Sequence, residues 1–271
     1  PLTKEKISFK NHAGGNWGRG LQNDVFYWGR DLRNIKTITK AEFTAELEKE
    51  ARIEAVSQKM KTTGTVNVPE DCSLREAIGM KNKYARKYFT DGRSVTIVLG
   101  KGEHQINGVN GDRLEILPHL EIDSAMNIVG DPGVPKSEIV VVGGIKFKKG
   151  IPGNCHLQHL TLRQAKNSGV VGDSSFTMED VLVEQCMYSG VYAWGTGVVG
   201  RCTNVEVRQC GWSGVGASMG ASIKLIGAKT MVHHNCTKGY STTYAGYGGY
   251  SDAYGLEVVG SSSSTIQLVA P

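Results

Sequence analysis

From Ser94 onward apolar residues fall at alternate positions in short β-branched runs. These are SVTIVLGKGEHQI, LEILPHLEI, MNIVG, EIVVVGGIKF and HLTLRQA, each broken by Gly, Asn or Asp. A period of two in such residues predicts strands with one buried face. Upstream the period is helical. Thr39 and Glu42 form a T-x-x-E capping box, which predicts a helix from Lys40 to about Met60. Phe43, Leu47 and Ala51, then Val56 and Met60, mark its apolar face. A second box, Ser73 with Glu76, opens a helix over LREAIGMKNKYARKYF, whose later turns carry Lys81, Lys83, Arg86 and Lys87. The segment up to Ile38 is mixed and turn-rich.

Within the strand region a repeat is visible. LTLRQAKNSGV (Leu160–Val170), VLVEQCMYSGV (Val181–Val191) and VEVRQCGWSGV (Val205–Val215) align, and a fourth copy, VHHNC (Val232–Cys236), resumes at YGLEV (Tyr254–Val258). The anchors Gln164, Gln185, Gln209 and Asn235 lie 21, 24 and 26 residues apart. That period matches one turn of a parallel β-solenoid, where each coil pairs with the coils above and below. Alternation points Leu160 and Leu162, Val181 and Val183, Val205 and Val207 inward. The next column holds Ala165, Cys186, Cys210 and Cys236, read as a small apolar ladder of reduced thiols, with disulfides left open. The S-G-V steps mark a corner of each coil. The expected fold is all-β, a single-stranded solenoid over residues 94–271 behind an N-terminal segment, 1–93, whose two helices cap its open edge.

The pattern V-x-V-x-Q-C-x-x-S-G-V, after VTIVLGKGEHQI and MNIVGDPG, resembles the right-handed parallel β-helix, or pectin-lyase-like, superfamily. SAMNIVGDPGVPKSEIVVVGG, GRCTNVEVRQCGWSGV and SSSSTIQLVAP look like tandem β-helix modules of marine algae and protists. LVAP and PLTKEKIS resemble the two sides of a junction between such modules, so tandem copies of the chain are expected partners. The resemblance implies a fold and leaves activity open, because lyases, hydrolases, epimerases, adhesins and scaffolds share it.

Composition narrows the classes. Glycine is high at 35 of 271 residues, yet no G-X-Y period exists, so the chain is not collagenous. No apolar run approaches the ~20 residues of a membrane helix. The net charge of +5 is uneven: residues 1–90 carry +6 and residues 91–271 carry −1. The basic residues of the second helix suit a helix C-terminus, and no nucleic-acid motif accompanies them. A dock for a larger complex is their other reading. Six cysteines without a C-x-x-C pair are not a disulfide scaffold. The chain begins at Pro1 rather than Met, so its native N-terminus is expected to be missing or processed, and no compartment follows.

The chemistry-bearing candidates are few. The superfamily's catalytic carboxylate clusters have no counterpart, since Asp131-Pro132 reads as a turn and Glu179-Asp180 is the only adjacent acidic pair in the coils. Arg163, Glu184, Arg208 and His234 form an outward column, one ionisable residue per coil. It reads as a self-neutralising ladder or as Glu184 between two arginines on an anionic sugar. Asp180, Glu184, Arg208 and His234 are therefore the acid–base candidates for a polysaccharide lyase or hydrolase. His233-His234 near Cys236 suggests zinc, but adjacent residues of a strand face opposite ways unless the extra residue between Val232 and Cys236 makes a bulge that redirects one. No metal and no cofactor is expected. The insertion GYSTTYAGYGGYSDA, Gly239–Ala253, with its neighbour Tyr254, carries Tyr240, Tyr244, Tyr247, Tyr250 and Tyr254, rings suited to stacking on sugar or on a protein partner. Trp194 and Trp212 at neighbouring coil corners either extend that aromatic set or pack under loops. The leading expectation is a non-catalytic scaffold that binds a glycan or packs into an assembly.

Overall fold

The computed structural model describes residues 8–12, 15–19, 26–29, 36–88, 94–106, 119–237, 255–260 and 263–269. Side chains are described from Thr39 to Asn82, with Lys40, Phe43, Glu46 and Glu50 excepted, and in the stretches from Ser94 on. The chain divides into two compact units, Pro1–Ser57 and Gln58–Pro271. The first holds an antiparallel sheet of β1 (Ser8–His12), β2 (Gly15–Arg19), β3 (Phe26–Gly29) and β4 (Lys36–Ile38), paired in sequence order. Helix α1 (Lys40–Thr63) follows. Its capping box is reciprocal, with the Glu42 N–H donating to Thr39 Oγ1 at 3.2 Å and the Thr39 N–H to Glu42 Oε2 at 2.7 Å. Among the described residues of the predicted apolar face Val56 and Met60 are buried, Leu47 is half-buried and Ala51 is exposed, and the Phe43 side chain lies outside the described residues.

In the second unit β5 (Thr65–Val68) precedes α2 (Leu74–Tyr88), which opens on the Ser73–Glu76 box as predicted. The coils then run in order. The first is β6 (Val95–Leu99), β7 (Gly102–Gln105) and β8 (Leu120–Ile122). The second is β9 (Met126–Gly130), β10 (Ile139–Val142) and β11 (Ile145–Phe147), with a short 3-10 turn before β10. The third and fourth are β12 (Cys155–Arg163) with β13 (Val170–Gly172), and β14 (Phe176–Glu184) with β15 (Val191–Trp194). The fifth is β16 (Val199–Thr203), β17 (Glu206–Arg208) and β18 (Val215–Ser218). The sixth is β19 (Ser222–Ile226), β20 (Met231–His233) and β21 (Leu256–Val259), and β22 (Thr265–Val269) begins another.

Every strand pair in this unit is parallel, and each coil stacks on the last in register. One sheet runs from β5 through β6, β9, β12, β14, β16 and β19 to β22, and a six-stranded sheet runs from β8 to β21. The long strands β12 and β14 serve two faces. Each bends at one residue of positive φ, His159 (52°) or Asp180 (50°), and Asn204 (52°) turns the same corner in the next coil. The parallel array begins at β5, ahead of the change of texture at Ser94. Helix α2 packs on β6, β7 and β8, and its Asn82 Nδ2 donates to the Glu121 carbonyl at 2.9 Å. Lys81 is buried rather than solvated, and the side chains of Lys83, Arg86 and Lys87 lie outside the described residues.

The core is the stack of inward columns. Leu160, Leu162, Val181, Val183, Val205 and Val207 are fully buried, as alternation predicts. Ala165, Cys186 and Cys210 continue the core beside them, and none of the six cysteines is in a disulfide. The S-G-V glycine has a physical reason. At Gly190 an added Cβ would lie 2.3 Å from Val207 Cγ1 and 2.7 Å from the Gly214 carbonyl oxygen, so the next coil's backbone occupies the space.

The fourth repeat departs from the predicted alignment. Strand pairing sets Arg208 beside His233, so His234 takes the corner held by Gln164, Gln185 and Gln209, and Asn235 stands where Cys210 does. Asn235 fills that place with hydrogen bonds: Nδ2 donates to the Val207 carbonyl at 3.0 Å, and Oδ1 accepts the Cys210 N–H at 3.0 Å. Cys236, at φ 65°, is half-buried and absorbs the extra residue. The outward column is therefore Arg163, Glu184, Arg208 and His233, with His234 displaced to the corner.

Candidate binding face

Three groups of side chains carry possible chemistry. The first is the outward column on β12, β14, β17 and β20. Glu184 is buried under Arg208, whose Nε and Nη2 both donate to Glu184 Oε2, at 3.0 and 2.8 Å. Arg208 Nη1 donates to Glu206 Oε1 at 2.9 Å, and His233 Nε2 contacts the same oxygen at 3.2 Å. The Glu184 hydrogen bond holds the Arg208 guanidinium above its ordinary range. Arg163 pairs with Glu103 rather than with Glu184, and its Nε is buried without a hydrogen-bond partner. Of the column's successive members only Glu184 and Arg208 pair with one another, while Arg163 reaches back to Glu103 and Arg208 shares Glu206 with His233.

His233 and His234 do not face opposite ways. The positive φ at His234 turns its ring back, the two Nδ1 atoms meet at 2.6 Å, and the rings cross nearly at right angles. Among the described residues no group of three His, Cys, Asp or Glu side chains is placed to hold a metal ion.

The second group surrounds Asp180. Its Oδ1 accepts from Lys136 Nζ and its Oδ2 from His159 Nδ1, each at 2.7 Å. His159 Nε2 lies 2.9 Å from the Val134 carbonyl oxygen, so both ring nitrogens face oxygen atoms. Burial alone would raise the Asp180 carboxyl, but the Lys136 and His159 hydrogen bonds outweigh it and hold the group below its ordinary 3.8. A carboxyl held low is a poor proton donor near neutrality. Lys136 and His159 are 44 and 21 residues from Asp180, and only the coil geometry joins them.

The third group lies on the six-stranded sheet. Tyr192 and Trp194 alternate on β15 and both face outward, Trp194 with 46% of its surface exposed. Their ring centroids are 6.4 Å apart. The Tyr192 ring lies over Gly216 of the next coil, where a Cβ would come within 2.7 Å of its Cδ2. Burial raises the Tyr192 hydroxyl above its ordinary range despite its hydrogen bond to Ser218. On the preceding coils Lys146 pairs with Asp173 at 3.0 Å and Lys148 with Glu121 at 3.1 Å. Sequence reasoning named Trp194 and did not name Tyr192, although V-Y-A-W sets both on one strand face.

Trp212 belongs to a different cluster. It packs against Tyr188 at a corner, centroids 4.4 Å apart, and is half-buried. Tyr240, Tyr244, Tyr247, Tyr250 and Tyr254 lie outside the described residues.

No protein-family model and no curated protein matches the chain. Among solved structures it is similar to the A-module of Azotobacter vinelandii mannuronan C-5 epimerase AlgE6. That match has 12% identity over 73% of this chain and 86% of that one, with a TM-score of 0.21. It is also similar to the AlgE4 A-module from the same organism, at 12% identity over 71% and 87%, with a TM-score of 0.20. Scores of this size transfer neither residues nor activity, so the fold stands on the chain's own strand registers. By those registers the chain is a right-handed parallel β-helix with an N-terminal helical cap.

Proposed function

We propose that the chain is a non-catalytic, carbohydrate-binding β-helix module, a rigid scaffold that takes a polysaccharide across the six-stranded sheet at Trp194 and Tyr192. The observation that carries this reading is the exposed Trp194 ring held beside Tyr192 on a hydrogen-bonded sheet. An indole face on rigid backbone stacks on the apolar face of a sugar at low entropic cost. The Lys146–Asp173 pair, on the coils before it, offers donors and acceptors to sugar hydroxyls. The carboxylates suited to acid–base work are engaged elsewhere: Asp180 by Lys136 and His159, Glu184 by Arg208.

The test is retention on immobilised neutral and anionic polysaccharides, with every supernatant assayed for new chain ends. Retention without cleavage, weakened about tenfold or more by Trp194→Ala or Tyr192→Ala, is expected; tenfold corresponds to about 1.4 kcal/mol. New chain ends that disappear in Asp180→Asn or Glu184→Gln would replace this reading with a lyase or hydrolase. Retention indifferent to Trp194→Ala and Tyr192→Ala would move the site off this face.

A further inference from the structure

Charge is distributed unevenly along the six-stranded sheet. Residues 185–200 and 209–223, which carry β15 and β18 with the turns on either side of them, hold no Asp, Glu, Lys, Arg or His. Two successive coils therefore cross this sheet without a charge of either sign. They present Tyr192, Trp194 and the exposed Thr196, with Met219 exposed in the turn after β18. The earlier coils differ. Lys146 and Lys148 stand at alternate positions at the end of β11, and each is already bound to an acid, Asp173 or Glu121. Lys149 and Lys166 lie in turns two coils and one coil before Trp194. The fixed charge that reaches Tyr192 from the following coil is negative. Glu257 stands in register with Gly216, over which the Tyr192 ring lies, and adds to burial in raising the Tyr192 hydroxyl.

This distribution discriminates between sugars by charge. A carboxylate or sulfate ester brought against the rings gives up hydration, which is costly unless a cation pairs with it. The two coils offer none, and Lys146 or Lys148 would have to leave an ion pair already made. Glu257 adds repulsion. A neutral sugar loses only the hydration of its hydroxyls, which Thr196 and the Lys146–Asp173 pair replace, while its C–H face stacks on the indole. A polyanion has a better surface elsewhere: on the outer side of the long sheet Arg201 and Lys224 stand side by side in register. Binding there does not involve Trp194, so dependence on Trp194 separates the two faces.

We infer that the Trp194 face selects neutral polysaccharides and turns away those bearing uronate or sulfate, an inference that rests on this face being the carbohydrate site. The experiment sets the intact chain on an immobilised neutral β-glucan and galactomannan, and on a polyuronate and a sulfated galactan. The quantity read is the part of the retention that Trp194→Ala removes. It should appear on a neutral polymer and be at least about tenfold weaker on both anionic ones. On the neutral polymer it should change less than about twofold between about 0.1 and 1 M sodium chloride, because no ion pair is there to be screened. Thr196→Lys places a cation two residues from the indole, in an exposed turn, and should leave the far-UV spectrum unchanged. It should confer salt-sensitive, Trp194-dependent retention on the anionic polymers. Trp194-dependent retention of the unaltered chain on polyuronate or sulfated galactan would overturn the inference and leave the carbohydrate site standing. A Thr196→Lys chain that gains nothing would also overturn it, since a missing cation would then not be what excludes charge. Retention on no polymer, or retention that Trp194→Ala leaves intact throughout, would remove the carbohydrate site itself and this selectivity with it.

Discussion

The corner glycines offer the sharpest test of the stacked-coil geometry. Gly190 sits where the next coil passes closest. An alanine methyl there would lie 2.3 Å from Val207 Cγ1, 2.7 Å from the Gly214 oxygen and 3.2 Å from Cys210 Sγ. Favourable carbon contacts lie near 3.5–4.0 Å, so all three neighbours would have to move. Val207 is fully buried and stiff at χ1. The Gly214 oxygen is fixed as well, because it accepts the Val191 N–H at 3.0 Å in the ladder between coils. Overpacking a tight core costs about 1–3 kcal/mol, and a backbone obstacle puts Gly190→Ala at the upper end, about 3 kcal/mol. Gly255 is the internal control. It holds the same corner in the last described coil, and a Cβ there meets nothing within 4 Å. Gly255→Ala should therefore be neutral, or stabilising by up to about 1 kcal/mol through the unfolded chain. Urea unfolding followed by far-UV circular dichroism, with midpoint and slope fitted for both variants, checks this. Solenoid stability is a sum of nearest-neighbour terms, so the lesion should act on one interface between coils. Equal losses for the two variants, or none for Gly190→Ala, would refute the stacking argument.

Asp180→Asn should cost about 1 kcal/mol at neutral pH, a modest figure because the Asp180 side chain is 41% exposed. The folded carboxyl lies below its ordinary 3.8, so its contribution is present above that value and fades as pH falls through the lower folded value. A gap between wild type and variant that stays constant from pH 7 to pH 2 would contradict this. Thiol labelling in the native state should be slow at every cysteine except Cys236. Cys202 and Cys155 are buried, with thiols pushed by desolvation up to about 12 and about 11, and Cys186 is raised by its contact with Cys210 and by burial. Cys236→Ser should remove the only fast phase, and denaturant should release the full complement; several fast thiols in the native chain would refute the buried ladder.

Local order in the sequence was enough for much of the fold. The capping boxes at Thr39 and Ser73 close as written, because each involves residues three apart. The alternation that buries Leu160, Val181 and Val205 needs only the two-residue period of a strand, and the recurring Q-C-x-x-S-G-V marks the length of a coil. Trp194 was read only as a residue near a coil corner, and its exposed place on β15 beside Tyr192 came from the structure. Register was not local. The fourth copy offers both Asn235 and His234 as its corner residue, and only pairing of β20 with β17 selects His234 and sends Asn235 to cap the Cys210 amide. The burial of Lys81, the start of the parallel array at β5 and the joining of Lys136, His159 and Asp180 likewise depend on which coil lies against which. The sequence thus determined the strands, their inward faces and the repeat, because those follow from periodicity. Tertiary structure alone decided which charges neutralise one another and which residue of the fourth copy takes the corner, because both depend on contacts between coils distant along the chain.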